Sequence, residues 1–302
     1  MAQTPVSQIL FLEKNRNNDI YIMRDDLLPF SFGGNKVRKA LLFFEQIEKG
    51  EFDTVVTYGS GGSNHCRVVA NMAFARGLAC HVISTDADSD CINRKLVRSC
   101  EAQLHMCTVD QVAATIDSLL QRLTLEGKKP YFIPGGGHGN LGTRAYDLAY
   151  DQILAFSKEN NIKFDYIFHA SGTGTTQAGL ISGKLRCGQD NQKIVGISIA
   201  RRNPYGGQVV AKSVLEYTGA EPGEALIFTD DYICGGYGKY DQRIHRTVQR
   251  MYLQCGVPMD PTYTAKAYTG MEQYLEQNGV RDSKILFIHT GGTPLFCDWV
   301  RI

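Results

Sequence analysis

The sequence predicts an α/β protein of two domains, built from parallel-rich twisted sheets covered by helices. Three observations carry that expectation. Short apolar, β-branched runs alternate with helical periodicities almost throughout, glycine- and hydroxyl-rich loops follow several of those runs, and 302 residues are enough to bury a sizeable core.

The elements follow in order. Ile20–Arg24 reads as a short strand leading to Asp25-Asp26-Leu27 and a glycine-pivoted turn, Phe32-Gly33-Gly34. From Asn35 to about Glu48, residues Val37, Ala40, Leu41, Phe44 and Ile47 recur at helical spacing, which predicts a helix with one buried face and Lys36 in its first turn. Thr54–Tyr58 is a β-branched strand that runs into Gly59-Ser-Gly-Gly-Ser63-Asn64-His65 and a helix over 67–76. Cys80–Ser84, Gln103–Val109 and Tyr131–Pro134 read as strands separated by helices over 92–99 and 111–123. After the glycines of 135–139 come a helix over 143–157, the strand Asp165–His169, the loop 171–179, another helix and the strand Lys193–Ala200. Parallel sheets of this kind place their ligand-binding loops beyond the carboxyl ends of the strands.

Composition narrows the partners. With 32 basic and 31 acidic residues and no block of like charge, neither nucleic acid nor an anionic membrane is expected, and a small molecule fits better. No apolar run reaches spanning length, and Met1-Ala-Gln-Thr-Pro5 lacks a basic segment followed by an apolar stretch, so a cytoplasmic protein is expected. Nine cysteines, with no C-x-x-C pair and no histidine at zinc-ligand spacing, read as reduced thiols, and no metal site is expected.

Lys36 is the residue that demands a chemical account. Near a helix N-terminus the dipole disfavours an ammonium, and burial disfavours it further, so both effects push toward the neutral, nucleophilic amine. A solvated surface lysine is the plain alternative. The loop Ser171-Gly172-Thr173-Gly174-Thr175-Thr176-Gln177-Ala178-Gly179 suits an anion, because glycines let the amides turn outward and a helix N-terminus follows. A dinucleotide reading would need an acidic residue at the end of the next strand, where Ala200-Arg201-Arg202 stands instead, and no Gly-Lys-Ser/Thr closes a phosphate loop of the Walker kind. Ser63 is a natural N-cap, and Asn64 with His65 in the same first turn suits a carboxylate or a phenolic oxygen. Phe287-Ile-His289-Thr290-Gly291-Gly292 repeats the pattern of strand, hydroxyl and paired glycines, and Ile233-Cys-Gly-Gly236-Tyr237-Gly238 places an aromatic in a flexible turn.

Together Gly33–Lys39, Ser63-Asn64-His65, Gly172–Gly179, Asp260-Pro-Thr-Tyr263-Thr264-Ala-Lys266 and His289–Gly292 resemble, in order, the pyridoxal-phosphate enzymes of the tryptophan-synthase β-subunit fold. The branch resembled holds D-cysteine desulfhydrase and 1-aminocyclopropane-1-carboxylate deaminase, and the likeness runs from about Ile20 to Phe296. It implies pyridoxal 5'-phosphate as cofactor, an amino acid as substrate and a homodimer. It also implies a large cofactor-binding domain of residues 1–40 and 148–302 and a small domain of 41–147. Lys36 would join the cofactor aldehyde, and Gly172, Thr173, Gly174, Thr175 and Thr176 would hold the phosphate. Asn64 would bond the phenolic oxygen, while Ser63 and His65 would face the substrate carboxylate. Tyr263 would lie by the ring near the leaving group, with Tyr237 and Thr264 on the substrate side and Thr290 beside the pyridine nitrogen.

Thr264 and Thr290 choose between the branches. The deaminase has Glu and Leu at the matching positions and the desulfhydrase has Thr at both. A hydroxyl cannot stabilise a protonated ring as a carboxylate does, so the reading favours β-elimination from D-cysteine to pyruvate, ammonia and sulfide. A deaminase, a β-replacement enzyme and a non-catalytic cofactor-binding protein are the alternatives. Tyr237-Gly238-Lys239-Tyr240 departs from the Tyr-Gly-x-Pro common in the family, and Thr175 stands where a glycine is usual.

Overall fold

The alternation of strand and helix is realised in two separate sheets. A computed structural model describes residues 5–85, 90–188 and 191–300, so Met1–Thr4 of the opening segment lie outside the described residues. The chain runs β1 (Ile9–Asn15), β2 (Asn18–Arg24), α1 (Asn35–Lys49), β3 (Thr54–Tyr58), α2 (Asn64–Phe74), β4 (Ala79–Ser84), α3 (Ile92–Ser99) and β5 (Gln103–Met106). It continues with α4 (Val112–Leu125), β6 (Pro130–Ile133), α5 (Asn140–Glu159), β7 (Tyr166–Ser171), α6 (Thr175–Arg186) and β8 (Lys193–Ser198). The last elements are α7 (Tyr205–Thr218), β9 (Leu226–Thr229), α8 (Gln242–Cys255), α9 (Thr264–Gln277), β10 (Lys284–His289) and α10 (Thr293–Val300).

One sheet has the order β5-β4-β3-β6 and is parallel throughout. The other, β1-β2-β10-β7-β8-β9, is parallel except for the β1–β2 hairpin. Both are covered on two faces, as parallel sheets must be. In β10 the side chains Ile285 and Phe287 enter one core and Leu286 and Ile288 the other. In the smaller sheet Val55 and Val56 divide in the same way. No helix among the described residues is long and apolar enough to cross a membrane.

Several boundaries differ from the sequence reading. β1 was not foreseen, because its Leu10 and Phe11 face outward at the sheet edge and break the apolar-in alternation. The third strand of the smaller sheet ends at Met106 rather than Val109. α2 starts at Asn64, because the Ser63 hydroxyl accepts the Cys66 N–H at 3.2 Å and caps it there. On α1 the buried face is as expected in Val37, Ala40, Phe44 and Ile47, but it also carries Arg38 and Lys39.

Arg38 is buried because a carboxylate is buried with it. Its Nη2 lies 2.9 Å from Asp25 Oδ1, and it also donates to the Pro5 carbonyl, the Ser7 hydroxyl and Gln152. Asp25 in turn accepts from the hydroxyls of Ser7 and Tyr146. This network fixes the start of α1 to α5 and to the end of β2. Removing one partner of a buried pair leaves the other uncompensated, so Asp25→Ala is expected to destabilise the fold by about 3–5 kcal/mol in urea unfolding. A loss within the range of surface ion pairs, below about 1 kcal/mol, would show that the network does not carry this anchoring.

Candidate active site

Three loops leave the carboxyl ends of β3, β7 and β10 and meet at the first turn of α1. Gly34 precedes the helix at φ +98°, and the Asn35 N–H donates to the Thr290 carbonyl at 3.0 Å. A Cβ on Gly34 would stand 2.8 Å from that carbonyl oxygen, and one on Gly291 would stand 2.7 Å from the Gly34 Cα, so this approach requires glycine on both sides. The approach sets Lys36 at the cleft floor. Its amine donates to the Gly136 carbonyl at 3.0 Å, and loss of hydration pushes its pKa down to about 8.

The loop after β7 forms one end of the pocket, with Ser171, Gly172, Thr173, Gly174 and Thr176 in its wall. No side chain caps the N-terminus of α6, and Asn35 Nδ2 reaches the Thr176 hydroxyl at 3.1 Å. Thr175 does not join this wall. Its hydroxyl is fully buried and accepts from Lys39 Nζ at 2.7 Å, so the expected side-chain contact from Thr175 is corrected. Lys39 is the site residue that the sequence reading missed. It lines the same pocket, is 1% exposed and has no carboxylate within pairing distance among the described residues. Burial and the neighbouring Lys36 hold its pKa well below the usual lysine range. Its position one helical turn after Lys36 was the available signal.

Asn64 lines the pocket beside Lys36, Tyr263 and Thr290. Its Oδ1 accepts from Asn93 Nδ2 at 2.9 Å, which leaves the amide N–H groups as its free donors. Ser63, which caps α2 through its lone pairs, keeps its proton to donate into the adjoining cleft. That cleft, of about 330 Å³, is also lined by Tyr58, Ser60, His65, Arg201, Tyr237 and Tyr263.

The hydrogen bonds of His65 fix its tautomer. The Thr57 hydroxyl donates its only proton to the Ile133 carbonyl at 2.8 Å, so its 2.8 Å contact with His65 Nε2 requires that nitrogen to be the donor. Burial keeps the ring neutral, with its pKa well below 6.5. Nδ1 is therefore a lone pair, so the ring has no free donor to offer the substrate carboxylate that His65 is expected to face. Thr264 is corrected too. It is fully buried, and its hydroxyl donates to Asp260 Oδ2 at 2.9 Å behind the cleft wall.

Asp260 was quoted in the motif without a role. It accepts the N–H groups of Thr262 and Tyr263 at 2.9 and 2.8 Å and so fixes Tyr263 at the head of α9. The Tyr263 hydroxyl lies 2.7 Å from that of Tyr237, which lies 3.1 Å from Ser60 Oγ. Burial raises both phenols above the usual tyrosine pKa, Tyr263 far above it, so both are protonated donors at neutral pH.

A profile of the family described as pyridoxal-phosphate dependent enzyme matches residues 1–291. The chain belongs to that family. It is 32% identical to a D-cysteine desulfhydrase of Serratia proteamaculans (strain 568) over 306 residues, 97% of this chain and 92% of that protein. It is 30% identical to a putative 1-aminocyclopropane-1-carboxylate deaminase of Pyrococcus abyssi (strain GE5 / Orsay), over 97% of this chain and 90% of that one. The crystal structure of an ACC deaminase homologue superposes with a TM-score of 0.85 at 30% identity, covering 95% of this chain and 89% of that chain. The fold is that of the fold type II pyridoxal-phosphate enzymes, and the protein is an enzyme of the D-cysteine desulfhydrase and ACC deaminase group.

The cofactor of the family is pyridoxal 5'-phosphate, and the pocket fits it. Lys39, a buried cation without a carboxylate, stands beside an uncapped helix N-terminus, which suits a phosphate. Lys36 supplies an amine that is easily neutral.

That last property is measurable. In protein freed of cofactor, labelling of Lys36 by an amine reagent is expected to rise with pH to a midpoint near 8, since desolvation disfavours the charged form and the neutral fraction grows above that pH. A midpoint near the ordinary lysine value of about 10.4 would show the amine to be solvated.

Proposed function

We propose that this enzyme eliminates sulfide from D-cysteine, releasing pyruvate and ammonia. The observation that carries the reading is the pocket wall at Thr290, which offers a hydroxyl and no carboxylate. Asp260 is fully buried and held by Thr262, Tyr263 and Thr264, and Asp26, beside His289, is buried and paired with Arg24. A ring nitrogen without an anionic partner gives a weaker electron sink, which suits a reaction whose electrons leave with a departing thiolate.

In this reading Lys39 and the Gly172–Thr176 loop hold the phosphate, the Asn64 amide donates to the phenolic oxygen, and Lys36 meets the aldehyde. When bound, the cofactor withdraws electrons from Cα of an amino acid. Ser63 and the N-terminus of α2 hold the substrate carboxylate. Lys36, whose neutral fraction is raised by a pKa of about 8, takes the Cα proton. The Cα–H electron pair forms the Cα–Cβ double bond, the Cβ–S bond breaks with its pair on sulfur, and the phenol of Tyr263 or Tyr237 protonates the departing sulfide. The enamine released is hydrolysed by water to pyruvate and ammonia.

The division into a large domain of residues 1–40 and 148–302 and a small domain of 41–147 is part of the same proposal. It is supported by the two sheets, and both crossings fall within helices, α1 and α5, rather than in linkers.

The test is an absorption scan of the holoenzyme with D-cysteine, with pyruvate and sulfide assayed together. The expected result is a shift of the cofactor band and equal yields of both products, abolished in Lys36→Ala. Ammonia from the cyclopropane amino acid without sulfide from D-cysteine would replace this reading by the deaminase, and sulfide release at the wild-type rate from Lys36→Ala would overturn the role of Lys36.

A further inference from the structure

Lys266 lies one turn into α9 from Tyr263 and is fully buried, yet among the described residues no carboxylate pairs with it. Its ammonium instead donates to three main-chain carbonyls, those of Gly236 at 2.7 Å, Ile233 at 3.0 Å and Ile199 at 3.3 Å. The first two belong to the turn that carries Tyr237. The third follows β8, and Ile199 itself lines the cleft. A compact cation ringed by backbone carbonyls is the arrangement by which proteins hold a bare monovalent ion. Here the ion is tethered to a helix.

Apart from these contacts the turn is held by the burial of Ile233 and by a side-chain hydrogen bond between Cys234 and Asp241. Cys234, Gly235, Gly236 and Gly238 lie at φ +52°, +84°, +122° and +71°, and the turn's own main-chain bonds are Gly236 N–H to Ile233 at 3.0 Å and Lys239 N–H to Gly236 at 3.2 Å. Tyr237 stands between two glycines and is 43% exposed, but its hydroxyl reaches Tyr263 at 2.7 Å. We propose that Lys266 is a positioning residue, a built-in cation that fixes the Tyr237 turn against the cleft wall. Helix α9 thereby sets both phenols, Tyr263 through its N-terminus and Tyr237 through the ammonium. The functional consequence rests on the proposal above that Tyr237 faces the substrate.

The experiment replaces the tether by a free ion. Lys266→Ala leaves a space walled by three carbonyl oxygens, into which methylammonium fits. A displaced catalytic group costs rate steeply, so kcat of the holoenzyme on D-cysteine is expected to fall about 10- to 100-fold. Methylammonium chloride should restore it saturably, whereas tetramethylammonium chloride at equal ionic strength should not, and neither should change the wild type. In a Tyr237→Phe background the further loss from Lys266→Ala should nearly vanish, as expected when one residue acts through the other. Wild-type kcat in Lys266→Ala would overturn the proposal. So would a loss that methylammonium leaves unchanged and that adds in full to Tyr237→Phe. Should Lys266→Ala not fold, Lys266→Met keeps the bulk of the stem without the charge, and the same double-variant comparison decides. If the wild type makes no pyruvate from D-cysteine, the functional reading fails separately, and Lys266 is then judged by limited proteolysis. Faster cleavage in the Tyr237 turn of the variant, slowed by methylammonium, would uphold the tether, and unchanged cleavage would overturn it.

Discussion

The rest of the site depends on the contact between two backbones, Gly34 and Thr290–Gly291. β2 and β10 are parallel neighbours, with Arg24 opposite His289 in register, so the loops leaving their carboxyl ends start side by side. Without side chains at Gly34 and Gly291 the loops meet at main-chain distance, and the Asn35 N–H closes them on the Thr290 carbonyl. Lys36 then projects toward the carbonyl of Gly136. The approach to this contact is strained. Phe30, Ser31 and Phe32 all lie at positive φ, each at a cost of about 1–2 kcal/mol for a non-glycine residue. Arg67 holds the strained segment from the neighbouring helix, donating to the carbonyl and hydroxyl of Ser31, with its guanidinium 5.5 Å from the Phe32 ring.

Besides Arg67, the basic groups Arg38, Lys266, Lys36 and Lys39 stand around this turn and its cleft, and their partners divide their work. Arg38 faces a carboxylate, so it is neutralised within the fold and anchors it. Lys266 faces only carbonyl dipoles, which suits a fixed ion. Lys36 and Lys39 face one carbonyl and one hydroxyl, and the charge of each disfavours that of the other. That pair is therefore incomplete electrostatically. A phosphate at the α6 N-terminus would relieve Lys39. In the proposed binding mode the phosphate would compensate the charge of Lys39 in a desolvated place, and a ligand that binds only the folded state stabilises it.

Much of this was legible in the residues. The parallel sheets followed from β-branched runs alternating with helical periods, and the pocket from loops that repeat glycine and hydroxyl after a strand. What escaped was decided by partners distant in sequence. Lys39 lies on the buried face of α1 one turn after Lys36, but hydropathy assigns a lysine to water, and its burial and contact with Thr175 show otherwise. Thr175 and Thr264 were read from their neighbours in the motif, while their hydroxyls are engaged by Lys39 and Asp260. The polarity of His65 depends on the single proton of Thr57 and the carbonyl of Ile133, from two different strands, which no local pattern encodes.

The correction at His65 bears on which group can act as acid and which as base. A ring held neutral with its one N–H engaged cannot supply a proton to a leaving group. The two phenols can, because burial keeps them protonated. Lys36 is displaced the other way, down to about 8, so a larger share of it is the neutral amine near neutral pH than for an ordinary lysine. One desolvated environment therefore pushes the amine and the phenols apart in opposite directions, since both shifts favour the uncharged form. Separation of that kind supports the proposed proton acceptance by Lys36 and donation by the tyrosine pair. The assignment is consistent with an elimination, in which a proton leaves Cα and another reaches sulfur at a different point of the same cleft.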